Sequence, residues 1–451
     1  MLQDISKNKN STEIKNNFLT ILFYLFLSVI LMGYSYSQIS TLFILSIIIM
    51  GIYVFLSDSY KNYLLVIFIL PSLGIFVPDG AGFSFATLVL LLCLLKHIIS
   101  RFNVMRLNKL GVFAVLLMLF YELSHMFLYS FDMMLTTFRW GALFVYASLV
   151  IIDQNFKLDF KRITYYLVAG IFLSTICGYI MSLTRPSKIS DNPNILSRFE
   201  GLGGDPNGFG MIILISILFL INIYNNSSKG KQLHLYIAFT LGMVGLSTFS
   251  RSYLITAVIM ITIVTISNFF PLKRKGWILR LRFIFIILLV LLLFSDQVSS
   301  MLDTTIGRIS NASNLDEVTG DRSLLVQLYW DKFINTSIFG ILFGDGIIGY
   351  LKSYSITNAG IITGPHNTYI ELLVSWGMLG TILFLFYLYS MYKSQQSKFS
   401  RKKPYFLGYL PVLCMLIYLV SLQSLAKYNT YFYLSMVLMN IFLTEKQSED
   451  E

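Results

Sequence analysis

Charge is scarce in this chain: of its 451 residues only 13% are Asp, Glu, Lys or Arg, against about a quarter in a soluble globular domain. With 56% hydrophobic residues and a mean hydropathy of +0.70, that shortage excludes a water-soluble globule and leaves a polytopic membrane protein. Cysteine is nearly absent too. The three present, Cys93, Cys177 and Cys414, lie inside apolar runs with no Cys-x-x-Cys spacing, which excludes a disulfide framework and a zinc site. No Ala-x-Ala-type cleavage site follows the first apolar run, so the first span is expected to stay in the mature protein. The net charge of +11 would suit nucleic acid or anionic lipid, but most basic residues fall in short loops between apolar runs, where they record topology.

What is there is a succession of apolar stretches near span length. They run at about 18–36, 39–56, 63–78, 82–95, 110–130, 133–152, 164–183, 207–224, 233–249, 252–270, 283–297, 367–391, 405–424 and 429–443. The expected fold is therefore all-α, a membrane helix bundle of about fourteen spans, or about twelve if the short 82–95 and 283–297 runs do not cross. Residues 1–17 and 444–451 become cytoplasmic ends flanking a membrane domain over 18–443. An internal N-terminus puts five basic loops in the cytoplasm: Lys96 to Lys109, Lys157 to Arg162, Lys229 and Lys231, Lys273 to Arg282, and Lys393 to Lys403. The same orientation exports two long polar loops, 185–206 and 296–365. Arg185, Arg198, Arg308 and Arg322 lie in them against the positive-inside bias, and Arg251 sits at an outer turn. His366 is expected to be the one histidine on that side, with His97 and His234 near the inner face and His125 within a span.

The outer loops carry the chemistry-bearing residues. His366 follows Gly364-Pro365 at the mouth of a span, where an imidazole that titrates near neutrality can take a proton from a hydroxyl nucleophile. It could equally satisfy a helix end. The run from Arg198 to Gly210 joins a cation to closely spaced glycines, so backbone can approach a bulky polar ligand. Within it Asp205 reads first as a helix cap and second as a ligand-ordering carboxylate, whereas Arg198 reads first as a ligand contact. Asp321 to Phe333 has Leu324, Leu325, Leu328, Tyr329 and Phe333 at helical spacing, an amphipathic helix lying on the membrane or capping the bundle. Arg322 at its start joins a guanidinium to a helix N-terminus, an arrangement that binds anions, with a plain surface arginine as the alternative. The glycine run 340–349 lacks the Gly-Lys-Ser/Thr of a phosphate loop, and neither polar loop has Asp-x-Asp spacing or a His/Cys cluster, so no metal site is expected. Glu122 and His125 share a helix face; an interhelical hydrogen bond explains them better than a proton path.

Five pieces, in order, resemble the O-antigen ligase and polymerase superfamily of membrane glycosyltransferases. They are Gly204-Asp-Pro-Asn-Gly-Phe-Gly210, Ser250-Arg-Ser252, Gly320-Asp-Arg322, Phe343-Gly-Asp-Gly346, and His366-Asn-Thr-Tyr-Ile-Glu-Leu-Leu-Val374 running into Gly377-Met-Leu-Gly380. The likeness spans roughly 195–390. Ser375 departs from it, standing where many members carry a carboxylate, and Arg198 lacks the glycine spacing of some polymerases.

The resemblance implies a C-type, metal-independent glycosyltransferase without cofactor, in the bacterial cytoplasmic membrane with its site outward. It would transfer a glycan from undecaprenyl pyrophosphate to an acceptor hydroxyl with inversion. It assigns Arg251 and Arg322 to the pyrophosphate, His366 to catalysis, and Arg198, Asp205, Asn207, Asn367, Tyr369 and Glu371 to binding or ordering the glycan. Its partners would be the lipid-linked oligosaccharide and membrane lipid, with a chain-length regulator left open and no nucleic acid. A polymerase of capsule, exopolysaccharide or O-antigen repeats is preferred, because the long 296–365 loop leaves room to select a repeat unit. A ligase is the alternative. A flippase or transporter fits less well, since the notable polar residues gather at one surface and no internal repeat is visible.

Overall fold

In the computed structural model the described residues are 2–73, 85–128, 130–184, 199–202, 205–226, 231–248, 250–269, 322–347, 349–350, 357–358, 361–362, 364–399, 406–422, 424–425, 427 and 429–442. They are helical wherever they form regular structure, apart from a two-residue antiparallel pair, Thr357–Asn358 with Ile361–Ile362, and an isolated antiparallel bridge between Leu107 and Asp153. The long elements are α1 (Leu2–Ser37), α2 (Ser40–Leu56), α3 (Ser59–Ile69), α4 (Phe85–Arg101), α5 (Lys109–His125), α6 (Phe131–Ile152), α7 (Phe160–Thr184), α8 (Pro206–Asn226), α9 (Lys231–Ser247) and α10 (Arg251–Phe269). Then come α11 (Arg322–Ile334), α12 (Ile338–Phe343), α13 (Thr368–Lys398), α14 (Leu410–Leu419) and α15 (Asn429–Ile441).

Among the described residues six helices are long and apolar enough to cross a membrane: Leu19–Ser37, Lys109–Leu128, Met133–Ile152, Phe160–Thr184, Pro206–Asn226 and Thr368–Lys398. Five expected spans form shorter apolar helices instead, at Ser40–Leu56, Gln232–Ser247, Arg251–Thr265, Phe406–Leu419 and Thr430–Ile441. A helix of about 17 residues reaches only ~25 Å, short of a ~30 Å hydrocarbon core. The expected 63–78 run starts earlier, at Ser59, because Asp58 caps α3 through Lys61 N at 2.8 Å, and 82–95 becomes α4. The 283–297 run lies outside the described residues.

Caps set the starts of the helices that position the site. Pro206 occupies the first position of α8, where its missing N–H costs nothing, and Asp205 Oδ1 accepts from Asn207 N at 3.0 Å. Asn367 caps α13 by accepting from Tyr369 N at 2.9 Å and Ile370 N at 3.2 Å. Replacing Asn367 with alanine should therefore destabilise the protein by about 1 kcal/mol, whereas aspartate should keep the cap. Equal melting temperatures for the two variants in thermal denaturation would show that this cap is idle.

Two polar clusters define the bundle axis. At one end of α5, a Cβ on Gly111 would meet the side chains of Ile152 and Ser394; at the other, Tyr121 packs beside Gly380. α5 and α13 are thus antiparallel. Around the Gly111 end, Arg101 Nε meets the buried Asp153 at 2.8 Å, and Lys398 Nζ reaches Val150 O at 3.5 Å. The described basic loops, from Lys96 to Lys109, Lys157 to Arg162 and Lys393 to Lys398, gather there, as a single topology requires.

The opposite end is held by a buried network. Glu122, 1% exposed, takes Ile347 N at 3.1 and 3.2 Å on its two oxygens and Trp376 Nε1 at 2.7 Å. Tyr121 donates to Phe343 O and Trp376 O at 2.7 and 2.6 Å, and His125 Nε2 lies 3.1 Å from Phe343 O. The Glu122 and His125 pair is an interhelical tie, as its spacing suggested. His125 closes α5 inside the candidate span Lys109–Leu128, as expected, with its ring against the turn after α12.

The tie fastens the glycine turn after α12 to a break in α13 at Gly377. Gly377 (φ 62°, ψ −169°) and Gly344 (φ 72°, ψ −171°) both occupy a region open almost only to glycine. Their backbones lie against one another: a Cβ on Gly344 would overlap Ser375 O, and one on Gly377 would overlap Leu342 and Gly344. Gly346 N completes the join by donating to Ser375 O at 2.7 Å.

Candidate functional site

Beyond that join, the first turn of α13, the start of α8, the start of α11 and the link between α14 and α15 come together. His366 stands one residue outside the α13 cap with φ 46°, a left-handed conformation uncommon for a residue with a side chain. Such outliers persist when their surroundings over-determine them, and they concentrate at functional sites. Here the neighbours are Pro365, buried, and the cap Asn367.

The half-buried imidazole interacts electrostatically with Arg322, Asp205 and Lys427. Burial, then the Arg322 guanidinium, push its pKa below the ordinary histidine value; Asp205 opposes that and Lys427 adds to it. The result is a neutral imidazole at neutral pH, the form that can accept a proton. Asp205 is the counter-charge of the group. Burial works to raise its pKa, but the Lys427 ammonium at 2.9 Å and the N–H groups of Asn207 and Gly208 bring it below the ordinary carboxylate value. Arg322, half-buried at the first position of α11, interacts with Asp205 and keeps its charge.

Arg251 begins α10 between two serines that are each tied to this region. Ser250 Oγ donates to Asn207 Oδ1 at 2.8 Å, and Ser421 Oγ donates to Ser252 Oγ at 2.6 Å. Those bonds place the Arg251 backbone between the start of α8 and the α14–α15 link. Arg198, like Arg185 and Arg308, lies outside the described residues.

The rest of the His366 motif is occupied with protein. Asn367 caps the helix, and Tyr369 donates its hydroxyl to Leu416 O at 2.9 Å. Glu371 is 0% exposed, its carboxylate enclosed by protein. It accepts from Tyr350 Oη at 3.2 Å, Ser424 N at 2.9 Å and Leu425 N at 3.0 Å. It ties the first turn of α13 to the α14–α15 link. Asn207, also buried, orders Ser250.

Lys427 is the residue that reading the sequence passed over. It is the one charged side chain between Val420 and Thr430, in a turn that the expected topology places outside with the arginines. Among the described residues no three His, Cys, Asp or Glu side chains converge to hold a metal ion.

The arrangement offers a proton acceptor beside cations, with the Asp205 carboxylate to balance them. Compared with known families, residues 236–385 match the one described as O-antigen ligase. That segment runs from within α9 through α10, α11 and α12 into α13, and so contains Arg251, Arg322 and His366 but neither Asp205 nor Lys427. No curated protein matches the chain in sequence.

Proposed function

We propose, starting from the match of residues 236–385 to the family described as O-antigen ligase, that this chain is a polymerase of lipid-linked oligosaccharide repeats at the outer face of the bacterial cytoplasmic membrane. The observation that carries the reading is the meeting of Arg322, Asp205 and His366, from three separate parts of the sequence, at the end of the bundle opposite the basic loops.

In this reading an acceptor sugar hydroxyl gives its proton to His366 as its oxygen attacks C1 of the donor glycan. The C1–O bond to the diphosphate breaks, its electron pair leaves on undecaprenyl pyrophosphate, and attack from the face opposite that leaving group inverts C1. Negative charge grows on the departing oxygen, and Arg322 and Arg251 stabilise it without a metal ion. Removing either arginine should cost on the order of 3 kcal/mol of transition-state stabilisation, by analogy with losing one oxyanion donor. The shorter apolar helices complete the bundle toward the fuller span count that the hydropathy pattern suggests.

A ligase is the second reading, favoured by the description of the matching family. Purified protein reconstituted with one lipid-linked repeat separates the two. A ladder of products is expected; product formed only after a chemically different acceptor is added would establish the ligase, and no transfer in either case would remove the glycosyltransferase reading.

A further inference from the structure

The link between α14 and α15 combines a rigid backbone with a loosely held cation. Glu371 fixes the backbone at Ser424 and Leu425, as described. Thr368 Oγ1 bonds Leu422 O and lies 3.0 Å from Ser424 Oγ. From the far side Thr430 Oγ1 donates to Ser424 O at 2.9 Å and Tyr431 Oη donates to Leu425 O at 3.0 Å. Glu371, Thr368, Thr430 and Tyr431 are all buried. What they present is Lys427, whose side chain is 46% exposed and paired with an Asp205 side chain that is 27% exposed. An ion pair this open contributes about 0–1 kcal/mol, so a stronger anion readily takes one member from the other. The convergent scaffold is more than so weak a pair needs, and it holds the ammonium beside Asp205 and within electrostatic reach of His366.

We propose that Lys427 is an anion-binding residue of this site that exchanges partners, pairing with Asp205 when the site is empty and with the donor's diphosphate when it is loaded. The proposal rests on the glycosyltransferase reading above and adds a third cation from outside the matched segment. Its chemical consequence concerns Asp205. Once Lys427 has moved to the diphosphate, the Asp205 carboxylate, no longer paired with that ammonium, favours more strongly the imidazolium that forms when His366 takes the acceptor's proton. Donor binding thereby prepares the base, and no proton passes to Asp205.

The test measures binding of undecaprenyl diphosphate to the full-length protein in nanodiscs, with undecaprenyl phosphate for comparison and thermal melting to confirm folding. Lys427→Met should weaken diphosphate binding roughly 10- to 100-fold, the range for losing one charge-assisted hydrogen bond, and Lys427→Arg should restore most of it. Asp205→Asn keeps the α8 cap, since asparagine caps as well as aspartate, and should tighten binding because Lys427 no longer has to leave a partner. That gain should shrink in the Lys427→Met background. Wild-type binding by Lys427→Met, with Arg322→Ala weakened, overturns this proposal alone. Equal weakening by Lys427→Met and Asp205→Asn, with no further loss in the double variant, overturns it too, because the pair would then be structural. Unchanged binding in Arg322→Ala as well would sink the diphosphate reading from which it starts.

Discussion

Alanine at His366 is expected to slow glycan transfer about 10²- to 10⁴-fold, the usual contribution of a positioned general base, in protein that still folds and binds donor. Folding should survive because the α13 start is set by Asn367, Thr368 and Glu371, and alanine at His366 touches none of their hydrogen bonds. The pH profile identifies the group. Proton acceptance needs the neutral imidazole, whose pKa lies below the ordinary value of 6.5 through burial and then Arg322. Activity is therefore present above that lowered pKa and lost as pH falls through it, which puts the acid limb of kcat/KM below about pH 6.5. Asp205→Asn removes the charge that raises the pKa and should move the limb to lower pH. Lys427→Met removes one that lowers it and should move the limb up. A His366→Ala enzyme that keeps wild-type rates, or an acid limb indifferent to both charge changes, removes His366 from the chemistry.

Alanine at Gly344 or Gly377 is expected to have the largest effect on stability. Each glycine holds a backbone conformation that costs another residue about 1–3 kcal/mol, and each added Cβ would run into main chain that cannot swing aside. The damage should be local at first, because the join they make is what fixes the turn after α12 to the kink in α13. Limited proteolysis near residues 344–347 should accelerate, and the melting temperature should fall. At Ser375, a buried neighbour whose hydroxyl has no hydrogen-bond partner among the described residues, alanine should do neither. Gly344→Ala with native melting and native protease resistance would mean that the two backbones are not in contact.

The all-helical membrane class was legible from hydropathy, because a span needs a long apolar run and little else does. Span lengths were less so. Asp58, Pro206 and Asn367 start helices where caps, not hydropathy, decide, and Gly377 breaks α13 inside an unbroken apolar stretch. The amphipathic helix was expected from 321 and forms from Arg322, with Tyr329 and Phe333 buried. Arg251 and Arg322 stood out as cations placed against the topological bias and His366 as an imidazole at the mouth of a span, and the structure brings Arg322 and His366 within electrostatic reach of Asp205. Two things were not legible. The division of labour inside the His366 motif depends on what each side chain meets: Glu371 looks like a surface carboxylate in a string of residues and is fully buried against Ser424 and Leu425. Lys427 lies 222 positions from Asp205, and no local pattern foretells a pair so far apart in sequence.

The grip of Glu371 on Ser424 and Leu425 also bears on how such an enzyme could be recombined. The family match stops at residue 385, yet the turn that faces His366 is built from residues beyond 420 and is shaped by a carboxylate five positions after that histidine. Chimaeras that graft the matched stretch alone onto another scaffold would separate lock from key. Productive exchange between relatives should require the last two helices to travel with the histidine segment as one inherited block.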